Sequence, residues 1–443
     1  MRIKVVATDE NITTYGGNLL VGELLNKTTL GKQLDNLAVK GSDGIKNSDV
    51  IFSYIGTLVQ GQPAFEAIEQ FRDDDYFAES MGNATIPSSP TLRQRVDALG
   101  EEAKAETITT ILNENCMLLQ KQRVQITPCF ENYVPLDVDV TPFDNSDTKK
   151  EGLGFTYKKH MGFAPIMAYL GEEGYCVNVE LREGQQHCQK NTPEFLGQAI
   201  QNAKIATEKP VLVRMDSGND SRDNIRVMQS QEYQADFLFK RNSRKESLEG
   251  HWSQACESGS EMKDLREGKR CFVYEETVTY KDCKPVRIVS FVTQRMSKPN
   301  GQILLLPEYE LESYVTSLMD TKAEQIRELY HAHGTSEQFH SEIKTDMDLE
   351  RLPSGKFATN QIVLTLGIFA YNLLRMIGQE SLRKKDYPPT AREVKRRRVK
   401  TVIQHYITLA AKFVCHAKML YLKISRHNRW RESFERIYHT FCA

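Results

Sequence analysis

Residues 133–141, YVPLDVDVT, mark the point where the chain changes character. Side chains alternate across a strand, so Asp137, Asp139 and Thr141 share one face while Leu136, Val138 and Val140 share the other. Downstream, GFAPIMAYLG (162–171) and YCVNVELREG (175–184) read as two more strands joined by a turn at Gly171–Gly174. NTPEFLGQAIQNAKIA (191–206) reads as a helix, with Asn191 or Thr192 as cap and Pro193 near the first helical position. KPVLVRMD (209–216) then reads as a buried strand ending in Asp216 and SGNDSRDNIRVMQ (217–229) as a loop running into a helix. ADFLFKRN (235–242) is the last strand.

Strand, strand, strand, helix, strand, helix, strand is the order of a ribonuclease H-like α/β domain, expected over 131–242 and resumed over 319–378. Between the two parts, 243–318 is rich in β-branched and aromatic residues, as in RCFVYEETVTYKDCKPVRIVSFVTQ (270–294), and predicts a β-rich insertion. YVTSL (314–318) is the strand that returns the chain to the domain. Upstream, RIKVVA (2–7) predicts a short strand. Apolar residues recur at helical spacing over 17–38 and 48–68, with Gly56, Gly61 and Pro63 as breaks. IPSSPTLRQRVDALG (86–100) opens a helix, with Ser89 or Thr91 as cap, whose early turns bring Arg93 and Arg95 within reach of phosphates. The region 1–130 is therefore expected to be helical. The tail, 379–443, is expected to be basic and helical, with a stop at Tyr387-Pro388-Pro389 and amphipathic helices over 391–424.

The stretch 330–344, YHAHGTSEQFHSEIK, follows an acid-started helical pattern. On a regular helix Tyr330, His333, Glu337 and Lys344 fall within about 60° of one another, and Glu342 points about 120° away from Tyr330. One face thus offers an aromatic ring, an imidazole, a carboxylate and an amine. Spacing alone would equally suit a solvated amphipathic face.

The 443 residues carry a net charge of −1, which averages an acid-rich first third against a strongly basic 383–431. Clustered cations of that kind are the electrostatic footprint of nucleic-acid binding. Nine scattered cysteines show no CxxC pair or zinc spacing and read as reduced thiols. No membrane-length apolar run and no secretory leader stand out, so the expected location is cytoplasmic, on the nucleoid when DNA is bound.

Tyr, two residues, Arg, three residues, Glu, six residues, Lys is the signature of the last catalytic helix in a large group of bacterial insertion-sequence transposases. Tyr330, Glu337 and Lys344 match it in register, and His333 stands where the family has Arg. ERLPSGKFATNQIVLTLGIFAYNLLRMI (350–377) resembles the segment that follows in the insertion-sequence group numbered thirteen-eighty. The chain is similar to DDE transposases over nearly its whole length. The resemblance implies Asp139, Asp216 and Glu337 as catalytic acids holding two Mg2+ or Mn2+ ions, with Asp137 the runner-up for the first position. It implies DNA contacts from Tyr330, His333 and Lys344. Lys240, Arg241 or Arg214 would make up for the missing guanidinium at 333, and Arg93 and Arg95 belong to the DNA-binding and assembly region. Double-stranded DNA, as element ends and target, and a homodimer on DNA are the implied partners. A nuclease of the same fold and a non-catalytic DNA-binding descendant are the rival readings.

Overall fold

The computed structural model describes residues 3–244, 246–263, 265–298, 300–384 and 394–443. The first part is helical, with α1 (Asn18–Asn26), α2 (Leu30–Asp35), α3 (Asn47–Leu58), α4 (Asp75–Met81), α5 (Ser89–Glu102) and α6 (Lys104–Lys121). The strand expected over 2–7 is not formed by its described residues; only Ile12–Thr13 pairs, against Lys412 and Ala411. An extended segment becomes a strand only where a partner edge reaches it. Gly56, expected as a break, lies inside α3, where a Cβ would approach the Phe77 ring to 2.7 Å. It serves close packing rather than termination.

A nine-stranded mixed sheet forms the centre of the molecule. Its strands are β1 (Val134–Val140), β2 (Ile166–Leu170), β3 (Tyr175–Glu180), β4 (Val211–Met215), β5 (Asp236–Lys240), β6 (Ser260–Glu261), β7 (Lys269–Val278), β8 (Val286–Ser297) and β9 (Ile303–Thr316). The spatial order is β6-β7-β8-β9-β5-β4-β1-β2-β3. β1 runs antiparallel to β2 but parallel to β4, and β4 is parallel to β5. Helix α7 (Thr192–Ala206) connects β3 to β4, and α8 (Arg222–Gln229) connects β4 to β5. The 243–318 segment adds α9 (Leu248–Ser258), and its strands extend the same sheet, because β9 pairs with β5 through Tyr314↔Lys240, Val315↔Phe239 and Thr316↔Leu238.

The last central strand leads into α10 (Ala323–His331), a tighter turn at Ala332–Thr335, α11 (Ser336–Ser341) and a wider turn at Glu342–Asp346. A long helix, α12 (Phe357–Glu380), follows and is almost wholly buried against α5, α6 and β3. It has the length and apolarity of a membrane span, contrary to expectation, but all of its apolar window is buried inside the protein. β3 is a sheet edge, and an unpaired buried edge would leave costly orphan amides. Side-chain amides fill that need. Asn372 accepts from Cys176 N at 2.9 Å and donates to Cys176 O at 2.7 Å, Gln361 accepts from Leu181 N at 2.6 Å, and Asn202 donates to Val177 O at 2.7 Å. The amino-terminal helices, the sheet and α12 share one continuous hydrophobic cluster.

Beyond α12, residues 385–393 of the expected basic helical run lie outside the described residues. After α13 (Val399–Val402) the chain forms an antiparallel hairpin, β10 (Ala411–His416) and β11 (Met419–Ile424), before α14 (Arg431–Cys442). The helices expected over 411–424 are corrected to strands. β10 pairs over its whole length with β11 and, on its other edge, with Ile12–Thr13. All nine cysteines are free.

Gly174 closes the β2–β3 turn at φ +72°, and a Cβ there would come within 2.4 Å of the Phe339 ring. Phe339 lies two residues after Glu337, so this turn seats the helical run on the sheet. Gly174→Ala is expected to destabilise the fold by about 1–3 kcal/mol, read as a lower urea midpoint at unchanged m-value.

Candidate active site

Asp137 and Asp139 project from the same face of β1 but meet different surroundings. Asp137 is buried. Arg214 on β4 donates to both of its oxygens, at 2.6 and 2.7 Å, and gives a third hydrogen bond to the Leu329 carbonyl of α10 at 2.8 Å. His333 Nδ1 completes the group at 2.9 Å from Asp137 Oδ1. Burial opposes the Asp137 charge, but Arg214 and His333 outweigh it and hold the carboxyl below its usual range. Burial likewise opposes the His333 charge, and Asp137 and Asp139 together hold the imidazole above its ordinary value.

Asp139 is the residue that faces open space. It lines a cleft of about 300 Å³ together with Asp216, Tyr330, His331, His333, Gly334, Ser336 and Glu337. The strand end supplies Asp139, the loop after β4 supplies Asp216, and the helical run supplies Glu337. Asp139 Oδ1 accepts from the backbone N–H of Val140 at 2.7 Å, and its Oδ2 lies 3.2 Å from His340 Nε2. His340 Nδ1 is 3.0 Å from the hydroxyl of buried Tyr169 on β2. Burial opposes the Asp139 charge, and the His340 contact and the charges of His340 and His333 more than offset it, leaving this carboxyl lowered too. Tyr330 donates to Asp216 Oδ1 at 2.7 Å, and His333 Nε2 stands 4.0 Å from the same oxygen.

Tyr330, His333 and Glu337 therefore share the cleft as the helix-face count expected, although the run is not a uniform helix. Lys344 does not join them. Its amine donates to the Pro142 carbonyl at 2.7 Å and pairs with Glu350 at 2.8 Å. The wider turn at Glu342–Asp346 has changed its phase. Glu342 points away from the shared face, as the count expected, and inward, where it meets Arg375, Arg396 and the backbone N–H of Val399.

Other expected phosphate contacts are committed elsewhere. Arg95 is buried in the helical region, donating to Asn47 Oδ1 at 2.6 Å and to the Ile45 carbonyl at 2.8 Å, which corrects its assignment to DNA. Arg93 is half-exposed and paired with Glu66 at 2.6 Å. Arg241 forks onto Glu246 at 2.6 and 2.7 Å, and Lys240 sits opposite Tyr314 at the end of β5; neither lines the cleft. The basic run 395–400 is also turned inward in part. Arg396 pairs with Glu342, Arg398 with Asp346 at 2.8 Å, and Arg397 donates to Ser381 at 2.6 Å. Its expected role as a DNA face is reduced to the side chains left in solvent, such as Lys395.

Two residues of the site escaped sequence reasoning. His340 follows Glu337 by three positions, a helical spacing that places both on neighbouring sides of the run. Tyr157 is carried by a short hairpin between β1 and β2 and gives no sequence signal. Its hydroxyl donates to the Val140 carbonyl at 3.3 Å, and burial, with Asp139, Asp216 and Glu337 beside it, pushes its pKa up to about 12.

Three carboxylates around one cleft form the hard-oxygen donor set that magnesium or manganese prefers. Among the described residues no three His, Cys, Asp or Glu side chains are already gathered closely enough to hold an ion. Tyr330 and His340 occupy oxygens of Asp216 and Asp139 instead. The donor chemistry fits; loading requires these acids to draw together.

Removing Glu342 would strand buried Arg375, so Glu342→Ala is expected to cost about 3–5 kcal/mol in chemical denaturation. Glu337→Ala, at an exposed position, should stay within about 0.5 kcal/mol of wild type. The His333 contribution has the opposite pH sense to that of a carboxylate. With a folded pKa above the unfolded value of about 6.5, its stabilisation is complete below that pH and fades as pH rises through the folded value. Wild type should therefore lose stability relative to His333→Gln as urea titrations move from about pH 6 to 9.

The family model described as transposase DDE domain group 1 matches residues 1–441. No curated protein sequence matches the chain. Among solved structures the chain is similar to a piggyBac transposase in a synaptic complex with hairpin DNA, seen by cryo-electron microscopy. That match has 11% identity and a TM-score of 0.45, and covers 90% of this chain and 82% of the other. With all but the last two residues matched, the chain belongs to the DDE transposase domain family, group 1.

Proposed function

We propose that this transposase binds the terminal inverted repeats of a bacterial insertion sequence, of the group numbered thirteen-eighty. It cuts DNA there and joins the freed 3′-hydroxyl ends to target DNA, acting as a homodimer. The reading rests on one observation above the others: Asp139, Asp216 and Glu337, drawn from three separate elements, line the same cleft. We take Asp139 as the first acid, because the nearly buried Asp137 carboxylate is already bonded by Arg214 and His333. The strand order β3-β2-β1-β4-β5, with β1 antiparallel to β2 and parallel to β4, supports a ribonuclease H-like arrangement interrupted by the 243–318 insertion. The helical region 1–130 would serve DNA binding and assembly.

Two Mg2+ or Mn2+ ions held by the three acids would activate the attacking oxygen and stabilise the leaving one. The chain's own groups do the rest. His340 and the Val140 N–H each bond one oxygen of the Asp139 carboxylate and orient it. Tyr330 and His333 stand beside Asp216, where a DNA phosphate would meet a hydroxyl and an imidazole. Arg214 supplies the permanent guanidinium that position 333 lacks, but spends it on Asp137 and on seating α10.

The test uses purified protein, Mg2+ or Mn2+, and a labelled duplex carrying the terminal repeat. Wild type should cut at the repeat boundary and transfer the 3′ end to a second duplex, and Glu337→Ala should lower cutting by about 100-fold or more. Cutting without transfer would assign a nuclease. Binding without cutting would assign a non-catalytic descendant.

A further inference from the structure

Between β1 and β2 the chain forms a small three-stranded sheet from Phe143–Asp144, Gly154–Phe155 and Met161–Phe163. Its turn, TYKKH at 156–160, is closed firmly. Thr156 N donates to the His160 carbonyl at 2.9 Å, the Thr156 hydroxyl donates to the same oxygen at 3.0 Å, and Lys159 N donates back to the Thr156 carbonyl at 2.9 Å. This hairpin carries large apolar surface in solvent. Phe155 is 60% exposed and Tyr157 is 67% exposed, and Phe155 pairs across the hairpin with Met161, which is 39% exposed. Lys158 and Lys159 are exposed beside them. Scattered surface hydrophobics need no explanation, but two aromatics, a methionine and two lysines on one rigid turn do.

The turn's position gives the explanation. Tyr157 is tied by its hydroxyl to the carbonyl of Val140, the residue after Asp139, so its ring stands at the mouth of the acid cleft. Burial and the negative charges of Asp139, Asp216 and Glu337 raise the pKa of that hydroxyl. An acid-lined cleft repels a polyanion unless cations flank it, and Lys158 and Lys159 are such cations. Aromatic faces beside lysines are the chemistry that holds an unpaired nucleic-acid strand, bases stacked on rings and phosphates against ammonium groups.

We infer that the 154–163 hairpin is a binding platform for single-stranded DNA, on which unpaired bases next to the scissile phosphate stack against Phe155 and Tyr157 while Lys158 and Lys159 hold the backbone. The inference rests on the reading of the cleft as the place where the strand is cut. It adds a subsite for melted DNA, which none of the three acids supplies.

The experiment measures fluorescence anisotropy of the full chain, without metal, against a labelled oligothymidine of about 12 nucleotides and a duplex of similar length. Phe155→Ala with Tyr157→Ala is expected to weaken oligothymidine binding by about 10-fold or more and to leave duplex binding nearly unchanged. Tyr157→Phe, which keeps the ring, should bind oligothymidine like wild type. Lys158→Ala with Lys159→Ala should flatten the dependence of log affinity on log salt by about 0.7 per lysine. Thermal melts by circular dichroism should coincide for all of these variants, since the side chains changed are exposed. The inference is overturned if wild type does not bind oligothymidine, or if the aromatic double variant binds it as wild type does. It is equally overturned if single strand and duplex weaken alike, or if only self-association changes, which would assign the face to a second copy. Because binding is read without metal, an inactive wild type would sink the catalytic reading and leave this result standing.

Discussion

The pair between Arg214 and Asp137 is the constraint on which the site depends. One guanidinium spans two strands and a helix, bonding both oxygens of a carboxylate on β1 and a backbone carbonyl of α10. A buried ion pair adds little net stability compared with apolar packing, but leaving either partner alone is expensive. Arrangements in which α10 slides along the sheet would take the Leu329 carbonyl from the buried guanidinium and His333 from Asp137, and that penalty holds the helical run in place. Asp139 and Glu337 inherit their relative position from it. The fork uses Arg rather than Lys because it must satisfy two carboxylate oxygens and a carbonyl with one rigid group.

A second clamp works from the opposite side of the run. Glu342 receives Arg375 from α12 and Arg396 from the basic segment, and Arg398 pairs with Asp346 one turn later. The acids of the helical run divide accordingly. Among the described residues Glu337 has no ion-pair partner, and Glu342 and Asp346 are neutralised by arginines whose clustering in sequence looks like a DNA-binding face. A linear run of like charge has low energy when its members meet opposite charges at different depths, and KRRRVK does this.

Much of the central fold is legible in the sequence because alternation and helical period are local signals. Leu136, Val138 and Val140 announce β1, and Pro193 with its preceding polar residue announces α7. The cleft is legible for a similar reason, since Tyr330, His333 and Glu337 obey one angular count. Lys344 breaks that count because the run winds more widely from Glu342 onward, a change no residue pattern announces. Arg95 and several arginines of the basic run turn inward, and the sequence does not announce it because a cation's partner, set by tertiary packing, is invisible in one dimension. The carboxy-terminal hairpin was misread as helix because β10 is made a strand by pairing along its length with β11, to which Ile12–Thr13 adds a short third strand. Tyr157 reaches the site only through the fold of its hairpin.

The union of the inserted strands with the central sheet makes the 243–318 segment a mechanical part of the site. β9 is hydrogen-bonded to β5, β5 to β4, and Asp216 directly follows β4; the same β9 runs on, through a short turn, into α10. A load applied at the far tip of the β8–β9 arm therefore reaches two of the three acids by separate routes, laterally through backbone hydrogen bonds and longitudinally through the chain.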